Sequence, residues 1–280
     1  MIIHAHNLAK HFGDNSVLRG LDLKIPHGGI HGLLGRNGVG KSTLLGLIAG
    51  QIKPSSGELT VFGETPFDRA SVMDRVVYAG IDVPYPGFWT ISDLLSAAGS
   101  RYPRWGRAYA NTLLTEFGFS NRLSTQYKDL SRGERSMIGI VIGLAAGSEL
   151  TLLDEPYVGL DVHNRQVFYH HLLEAAATGD RTFLLATHHI EESSKVLDSF
   201  AILGRTGAID QHYQVDNLAD GYVIATAPNL PELPGMLARR KESGTTRALV
   251  PREIAFGLAP SVRTQIAELD DVIVALLEES

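Results

Sequence analysis

Gly35-Arg36-Asn37-Gly38-Val39-Gly40-Lys41-Ser42 decides how this chain is read. The octapeptide fits the pattern G-x-x-x-x-G-K-[ST], and its surroundings are those the pattern needs. The apolar run Ile30 to Leu34 leads into it as a strand. Beyond it Leu44, Leu45, Leu47 and Ile48 recur at helical spacing until Gly50, with Pro54 further on. A glycine loop between strand and helix lets backbone N–H groups curl around an anion without Cβ clashes, while the helix turns its positive end toward it. In this reading Gly35, Asn37, Gly38 and Gly40 shape a phosphate cradle. Lys41 reaches the β- and γ-phosphates of a nucleotide, Ser42 ligates Mg²⁺, and Thr43 adds a further phosphate donor.

Outward from the loop, the pattern is α/β. Leu150 to Leu153 and Thr182 to Ala186 are short, nearly all-apolar runs, as expected of parallel strands covered on both faces, and the helical stretch Val162 to Ala177 separates them. A sheet of this kind collects its ligands at the carboxyl ends of the strands. At one such end stand two adjacent carboxylates, Asp154 and Glu155, before Pro156. Beside a phosphate loop the first can hold the Mg²⁺ shell and the second can polarise an attacking water.

Five segments together resemble the ATP-binding subunit of ABC transporters: Lys41-Ser42-Thr43, Leu130-Ser131-Arg132-Gly133-Glu134, Leu153-Asp154-Glu155-Pro156, Gly159-Leu160-Asp161 and Thr187-His188. The resemblance covers about residues 2 to 210, and the signature-like segment precedes Asp154 in the family's order. It implies a P-loop NTPase core with a mostly parallel sheet, an antiparallel β-subdomain and a helical subdomain inserted at about 84–146. It also implies ATP and Mg²⁺ as cofactors, and a head-to-tail pair of ATPase subunits, homo- or heterodimeric, with two nucleotides between them. Ser131 and Gly133 then touch the partner's ATP, Asp161 couples the two sites, His188 contacts the γ-phosphate and helps Glu155 orient water, and Phe12 stacks on adenine. His189 is left to packing or surface. The partner for work is a membrane-spanning transporter subunit, which places this chain on the cytoplasmic face of the cell membrane.

The sequence departs from the family at two places. Where the family carries a glutamine that touches Mg²⁺ and senses the membrane partner, the aligned position holds Ile81, with Asp82 one step later as a substitute metal ligand. In the signature, Arg132 and Glu134 replace the commoner glycine and glutamine. Variation of this kind resembles subunits of export-type systems. Because Ser131, Gly133, Glu155 and His188 are all retained, an ATP-sensing regulatory subunit without turnover is disfavoured; a soluble ABC-type ATPase unlinked to transport usually carries two ATPase domains or a heptad insert, and neither is present here.

Composition narrows the field further. The 280 residues carry no cysteine, which closes thiolate chemistry, and a net charge of −6 with no basic run, which argues against a nucleic-acid partner. No apolar stretch is long enough to span a bilayer, and the N-terminus reads as a first strand rather than a leader. Tyr85, Phe88, Trp89, Tyr102 and Trp105 form either a groove for a membrane-subunit helix or a local aromatic core. Residues 1–210 are expected to form the ATP-binding domain and 211–280 a small α+β appendage. The appendage ends in an amphipathic stretch, Asp270 to Leu277, that either closes its own module or docks a partner.

Overall fold

The computed structural model describes residues 1–280 apart from 82 and 243. In chain order the first elements are β1 (Ile3–Phe12), β2 (Asn15–Ile25), β3 (Gly29–Leu34), α1 (Lys41–Ile48), β4 (Ser56–Val61), α2 (Ala70–Met73) and β5 (Val76–Gly80). A helical stretch follows with α3 (Ile91–Arg101), α4 (Arg107–Glu116) and α5 (Arg132–Ala145). The chain then returns to the sheet through β6 (Leu150–Asp154), α6 (Val162–Ala177), β7 (Thr182–Thr187), α7 (Ile190–Ser193), β8 (Ser199–Leu203) and β9 (Ile209–Gln214). The last part holds β10 (Tyr222–Ala227), β11 (Leu237–Glu242), β12 (Thr245–Pro251), α8 (Arg252–Ala255), β13 (Arg263–Ile266) and α9 (Leu269–Glu279).

Among the described residues these strands form three sheets: β2-β1-β4, antiparallel; β5-β6-β7-β3-β8-β9, parallel but for β9; and β11-β12-β10-β13, antiparallel. The fold expected from the sequence is the one observed. The central strands are largely apolar because alternate residues serve two cores. Leu33, Leu152, Leu184 and Ala201 pack with α1 and the β1–β2–β4 sheet, whereas Leu153, Phe183, Leu185 and Phe200 pack with α5 and α6. Each such leucine or phenylalanine contributes about 1.5–3 kcal/mol of burial.

The helical stretch is tied to the sheet through α5. Gly139 lies over Gly80 at the end of β5, and a Cβ on Gly143 would press to 3.1 Å of Leu153 Cδ2, so Gly143 lets the helix lie close on β6. Its far end is held by Arg181, which donates to the carbonyls of Gly143, Leu144 and Ser148. A cation there opposes the negative end of the helix, even though burial brings the guanidinium pKa down to about 10. Of the aromatic cluster, Tyr85, Trp89, Tyr102 and Trp105 pack half-buried against the main core, and Phe88 alone of the five is 70% exposed.

The break expected at 210 falls inside β9, which pairs antiparallel with β8. The four-stranded sheet beyond it joins the rest of the molecule through α9. Val272 and Ala275 of this helix pack with Ile224, Leu237 and Leu249 of the small sheet, while Ile273, fully buried, belongs to the same cluster as Val196, Leu197 and Phe200. No helix among the described residues is long and apolar enough to cross a membrane.

Candidate active site

The glycine loop adopts the geometry its composition predicts. Gly38 and Gly40 sit at φ +81° and +113°, a region L side chains rarely enter. A Cβ on Gly40 would also press within 2.8 Å of Val17 Cγ1, and one on Gly35 within 2.7 Å of the Leu203 carbonyl. Gly40 is the N-cap of α1, and no side chain caps that end. The first N–H groups of the helix therefore point, unpaired by any cap, into the loop, where an anion would satisfy them. Lys41, 6% exposed, folds back over the loop: its Nζ donates to the carbonyls of Gly35 (2.8 Å) and Arg36 (3.2 Å) and lies 3.4 Å from Glu155 Oε1.

Parallel register brings the carboxylates to this loop, since β6 and β3 both border β7, with Asp154 opposite Ala186 and Leu33 likewise opposite Ala186. Asp154 is 7% exposed. The Tyr78 hydroxyl donates to its Oδ2 at 2.9 Å, whereas Oδ1 is buried without a hydrogen bond of proper geometry. Burial pushes this acid's pKa up; the Ser42 and Tyr78 hydroxyls and Lys41 pull against it, and the neighbouring Glu155 charge adds to it. An orphaned carboxylate oxygen beside a serine hydroxyl is a donor set of hard oxygens, the kind that suits Mg²⁺, so these residues fit the ion. Asp82, the other expected metal ligand, lies outside the described residues.

Glu155 takes φ +49°, a strained conformation for a residue with a side chain. The surroundings hold it there. Its N–H donates to the Ala186 carbonyl at 2.8 Å, Oε2 accepts from the Thr187 hydroxyl at 3.1 Å, and Oε1 lies 2.9 Å from His188 Nδ1. The His189 ring lies against that of His188, tilted by 38°, with centroids 4.1 Å apart. One cleft of about 510 Å³ gathers Phe12, Asn37, Gly38, Gly40, Lys41, Ser42, Thr43, Glu155 and His188. Phe12, at the end of β1, is 49% exposed there, with Lys10 Nζ 4.7 Å over its ring.

Other expected site residues stand apart. Ser131 is the N-cap of α5: its Oγ accepts from the Glu134 N–H at 3.3 Å and the Glu134 carboxylate accepts from the Ser131 N–H at 2.8 Å, a reciprocal capping box. Burial raises the Glu134 pKa, but the Ser131 N–H and the Arg122 guanidinium paired with it outweigh that and leave it lowered. Glutamate at this position thus gives α5 a cap that glutamine would give without the charge. Gly133 presses on Gly159, with the Gly159 carbonyl 2.3 Å from where a Cβ would stand. Asp161 caps α6, accepting from the Asn164 N–H at 2.8 Å. Neither Ser131, Gly133 nor Asp161 is among the residues lining the cleft.

Sequence reading missed Tyr78 as the partner of Asp154 and Thr187 as a donor to Glu155. Both follow only from strand register, Tyr78 lying opposite Leu152 and Thr187 ending β7 beside Leu34. It also missed that Arg132 borders the same cleft.

A phosphate loop on a strand-to-helix turn, a buried carboxylate at the end of a strand one removed in the same sheet and a second carboxylate beside a histidine define a P-loop nucleoside triphosphatase. The protein family can be stated more narrowly: residues 18–158 match the family model described as ABC transporter, and the chain belongs to that family as an ATP-binding domain. Its relatives include the ABC transporter ATP-binding protein YtrB of Bacillus subtilis, 28% identical over 222 residues, 79% of this chain and 75% of that one. Another is the Nod factor export ATP-binding protein I of Rhizobium meliloti, 31% identical over 210 residues, 72% of this chain and 61% of that one. Among solved structures, the ATP-binding subunit of an ABC transporter superposes with a TM-score of 0.68 at 25% identity, covering 79% of this chain and 92% of the other.

Proposed function

We propose that this chain is the ATP-hydrolysing subunit of a membrane transporter of the export type, and that it works by closing a dimer on ATP and reopening after hydrolysis. The observation that carries this reading is the meeting of Lys41, Glu155 and His188 in one cleft: Lys41 Nζ is 3.4 Å and His188 Nδ1 is 2.9 Å from the same Glu155 oxygen. An ammonium and an imidazole nitrogen converging on one carboxylate form an arrangement that a γ-phosphate would reorganise. Lys41 would turn to the phosphate, freeing Glu155 to accept a proton from water while His188 holds the water or the phosphate. Thr187 and the Ala186 carbonyl keep Glu155 aimed throughout. Mg²⁺, held by Ser42 and Asp154, would supply neutralisation of the phosphate charge. The loop of Gly35, Asn37, Gly38 and Gly40 with Thr43 would bind phosphates and Phe12 the adenine.

Ser131 and Gly133 at the start of α5 would contact the nucleotide of a second subunit, and Asp161 would relay between the two sites. The relatives' names, which include Nod factor export and daunorubicin/doxorubicin resistance, support the export assignment. They support too a membrane-spanning partner and a place on the cytoplasmic face of the membrane. Residues 1–210 would form the ATPase domain, with 211–280 as its appendage.

Lys41→Ala tests the reading directly. The purified variant should neither retain ATP on a desalting column nor release phosphate; a variant that binds and splits ATP as readily as the parent would sink the assignment. A membrane-spanning protein that co-purifies with the tagged chain from detergent extract, and is lost from a Phe88→Asp variant or another surface change on the helical stretch, would carry the transport half.

A further inference from the structure

The family resemblance assigns His188 to the phosphate and gives His189 no task, yet the turn between β7 and α7 fixes both beside Glu155. One hydroxyl does much of this. Thr187 donates to Glu155 Oε2 at 3.1 Å, and the same oxygen accepts from the His189 N–H at 3.0 Å. The His189 carbonyl in turn accepts from the Ser193 hydroxyl of α7 at 2.8 Å. The backbone that carries the two rings is therefore held on both sides of His189.

Three ligand atoms result, a carboxylate oxygen of Glu155 and one nitrogen from each ring, and all lie within 4.8 Å of one another. Among the described residues no other three histidine or acidic side chains meet as closely. His188 Nδ1 is 2.9 Å from Glu155 Oε1, and the His189 ring lies against that of His188. Ligands bonded to a tetrahedral Zn²⁺ at about 2.0–2.2 Å stand ~3.3 Å apart, so modest side-chain rotation closes the set around an ion. Glu155 and His188 are 18% and 35% exposed and both line the cleft, which gives an ion a way in and leaves its fourth position to water. Chemistry separates this set from the Mg²⁺ donors. Ser42 and Asp154 offer hard oxygens only, whereas two imidazoles and a carboxylate favour Zn²⁺ and its transition-series neighbours over Mg²⁺. Lys41, 3.4 Å from Glu155 Oε1, opposes a dication, but the carbonyls of Gly35 and Arg36 remain to it as partners.

We propose that Glu155, His188 and His189 form an inhibitory site for a transition-metal dication of the Zn²⁺ class, distinct from the Mg²⁺ site. The bound ion takes up the carboxylate lone pairs that would accept a proton from water and holds His188 away from the phosphate, so hydrolysis stops while it is in place. The inhibition rests on the role proposed above for Glu155; the binding of the metal does not.

Binding is read without nucleotide, from the visible absorption of four-coordinate Co²⁺ added to the full chain and its loss when Zn²⁺ displaces the cobalt. His189→Phe keeps a ring against His188 and removes its nitrogens. Loss of an outer partner of a metal ligand already weakens binding about 10–100-fold, so this variant should bind Co²⁺ at least about tenfold more weakly. His189→Ala, without the added bulk of phenylalanine, should behave alike. At equal buffered free Zn²⁺, with Mg²⁺ and ATP, parental hydrolysis should fall at least about tenfold, while each variant stays within about twofold of its metal-free rate. A parent chain without the absorption, or variants that bind or are inhibited as the parent is, would overturn the proposal. So would metal binding that leaves parental hydrolysis unchanged. Lys41→Ala separates the two readings: it should lose ATP yet bind Co²⁺ at least as tightly as the parent, because the opposing ammonium is gone. If that variant still splits ATP, the nucleotide reading fails and Co²⁺ binding remains the measure of this site.

Discussion

The nucleotide cleft and the C-terminal sheet place their side chains by opposite means. In the cleft, position comes from backbone conformations written into a few consecutive residues: Gly38 and Gly40 at positive φ, Glu155 strained at +49°, and the uncapped first turn of α1. In the C-terminal part, position comes from one helix with two apolar faces, Val272 and Ala275 turned to the small sheet and Ile273 to the main core. The first arrangement spends conformational stability to aim reactive groups. The second gains stability and aims nothing reactive. Substitutions in the two regions should therefore separate chemistry from stability, and the cleanest way to break the comparison is to find one that does not.

The largest effect belongs to the cleft. Glu155→Gln removes the proposed base yet keeps an amide oxygen for the Thr187 hydroxyl, so steady-state ATP hydrolysis should fall by about 10²- to 10⁴-fold while ATP is still bound. Its melting temperature should stay within a few degrees of the parent's. A Gln variant with more than a tenth of parental turnover would remove Glu155 from the reaction.

In the C-terminal part the sign pattern reverses. Ile273→Ala deletes a fully buried side chain at the seam and should cost about 2–5 kcal/mol, measured by urea denaturation. α9 packs on α7, which begins one residue past His189, so a relay to His188 is geometrically available. His188 is nonetheless held by its own contact with Glu155, and turnover per folded molecule at 25 °C should change less than twofold. A larger loss would mean that the C-terminal part helps to set the histidine, and the comparison would have to be redrawn as a coupling between the two regions.

Legibility in the sequence followed the same division. The cradle, the Asp154-Glu155 pair, the helix over 162–177 and the strand ends near 153 and 186 were readable because each is specified by neighbours in sequence: glycines for positive φ, apolar runs for strands covered on two faces. Tyr78 and Thr187 were not, because their contacts depend on which strand lies beside which. Strands β10 to β13 also escaped notice, since their alternation is interrupted by Pro228, Pro231 and Pro234 and their pairing is long-range. Arg132 was read as a departure within the signature, but its place at the cleft depends on the contact between Gly133 and Gly159, two residues 26 positions apart that no local pattern connects.

The smallest effect tests whether the cleft's strain against stability can be seen in a single group. Asp154 is buried with one oxygen unpaired, and burial holds its pKa above the ordinary carboxylate value of 3.8. The folded chain thus keeps this proton more tightly than the unfolded chain. The stability this contributes is fully present below the unfolded pKa and is lost as pH rises through the folded one, so at neutral pH the ionised form weakens the nucleotide-free protein. Asp154→Asn removes the charge and keeps an oxygen to accept from the Tyr78 hydroxyl. Without nucleotide at neutral pH the variant should melt higher than the parent by ~2–4 °C, the shift expected for about 1 kcal/mol in a domain of this size. The gap should narrow as pH falls through the folded pKa. Added Mg²⁺ and ATP should reverse the order, raising the parent's melting temperature more than the variant's, because only the carboxylate offers the ion a full charge. A variant that melts lower than the parent without nucleotide would show that Asp154 is a structural acid whose hydrogen bonds outweigh its burial, and the trade of stability for chemistry would not hold at this position.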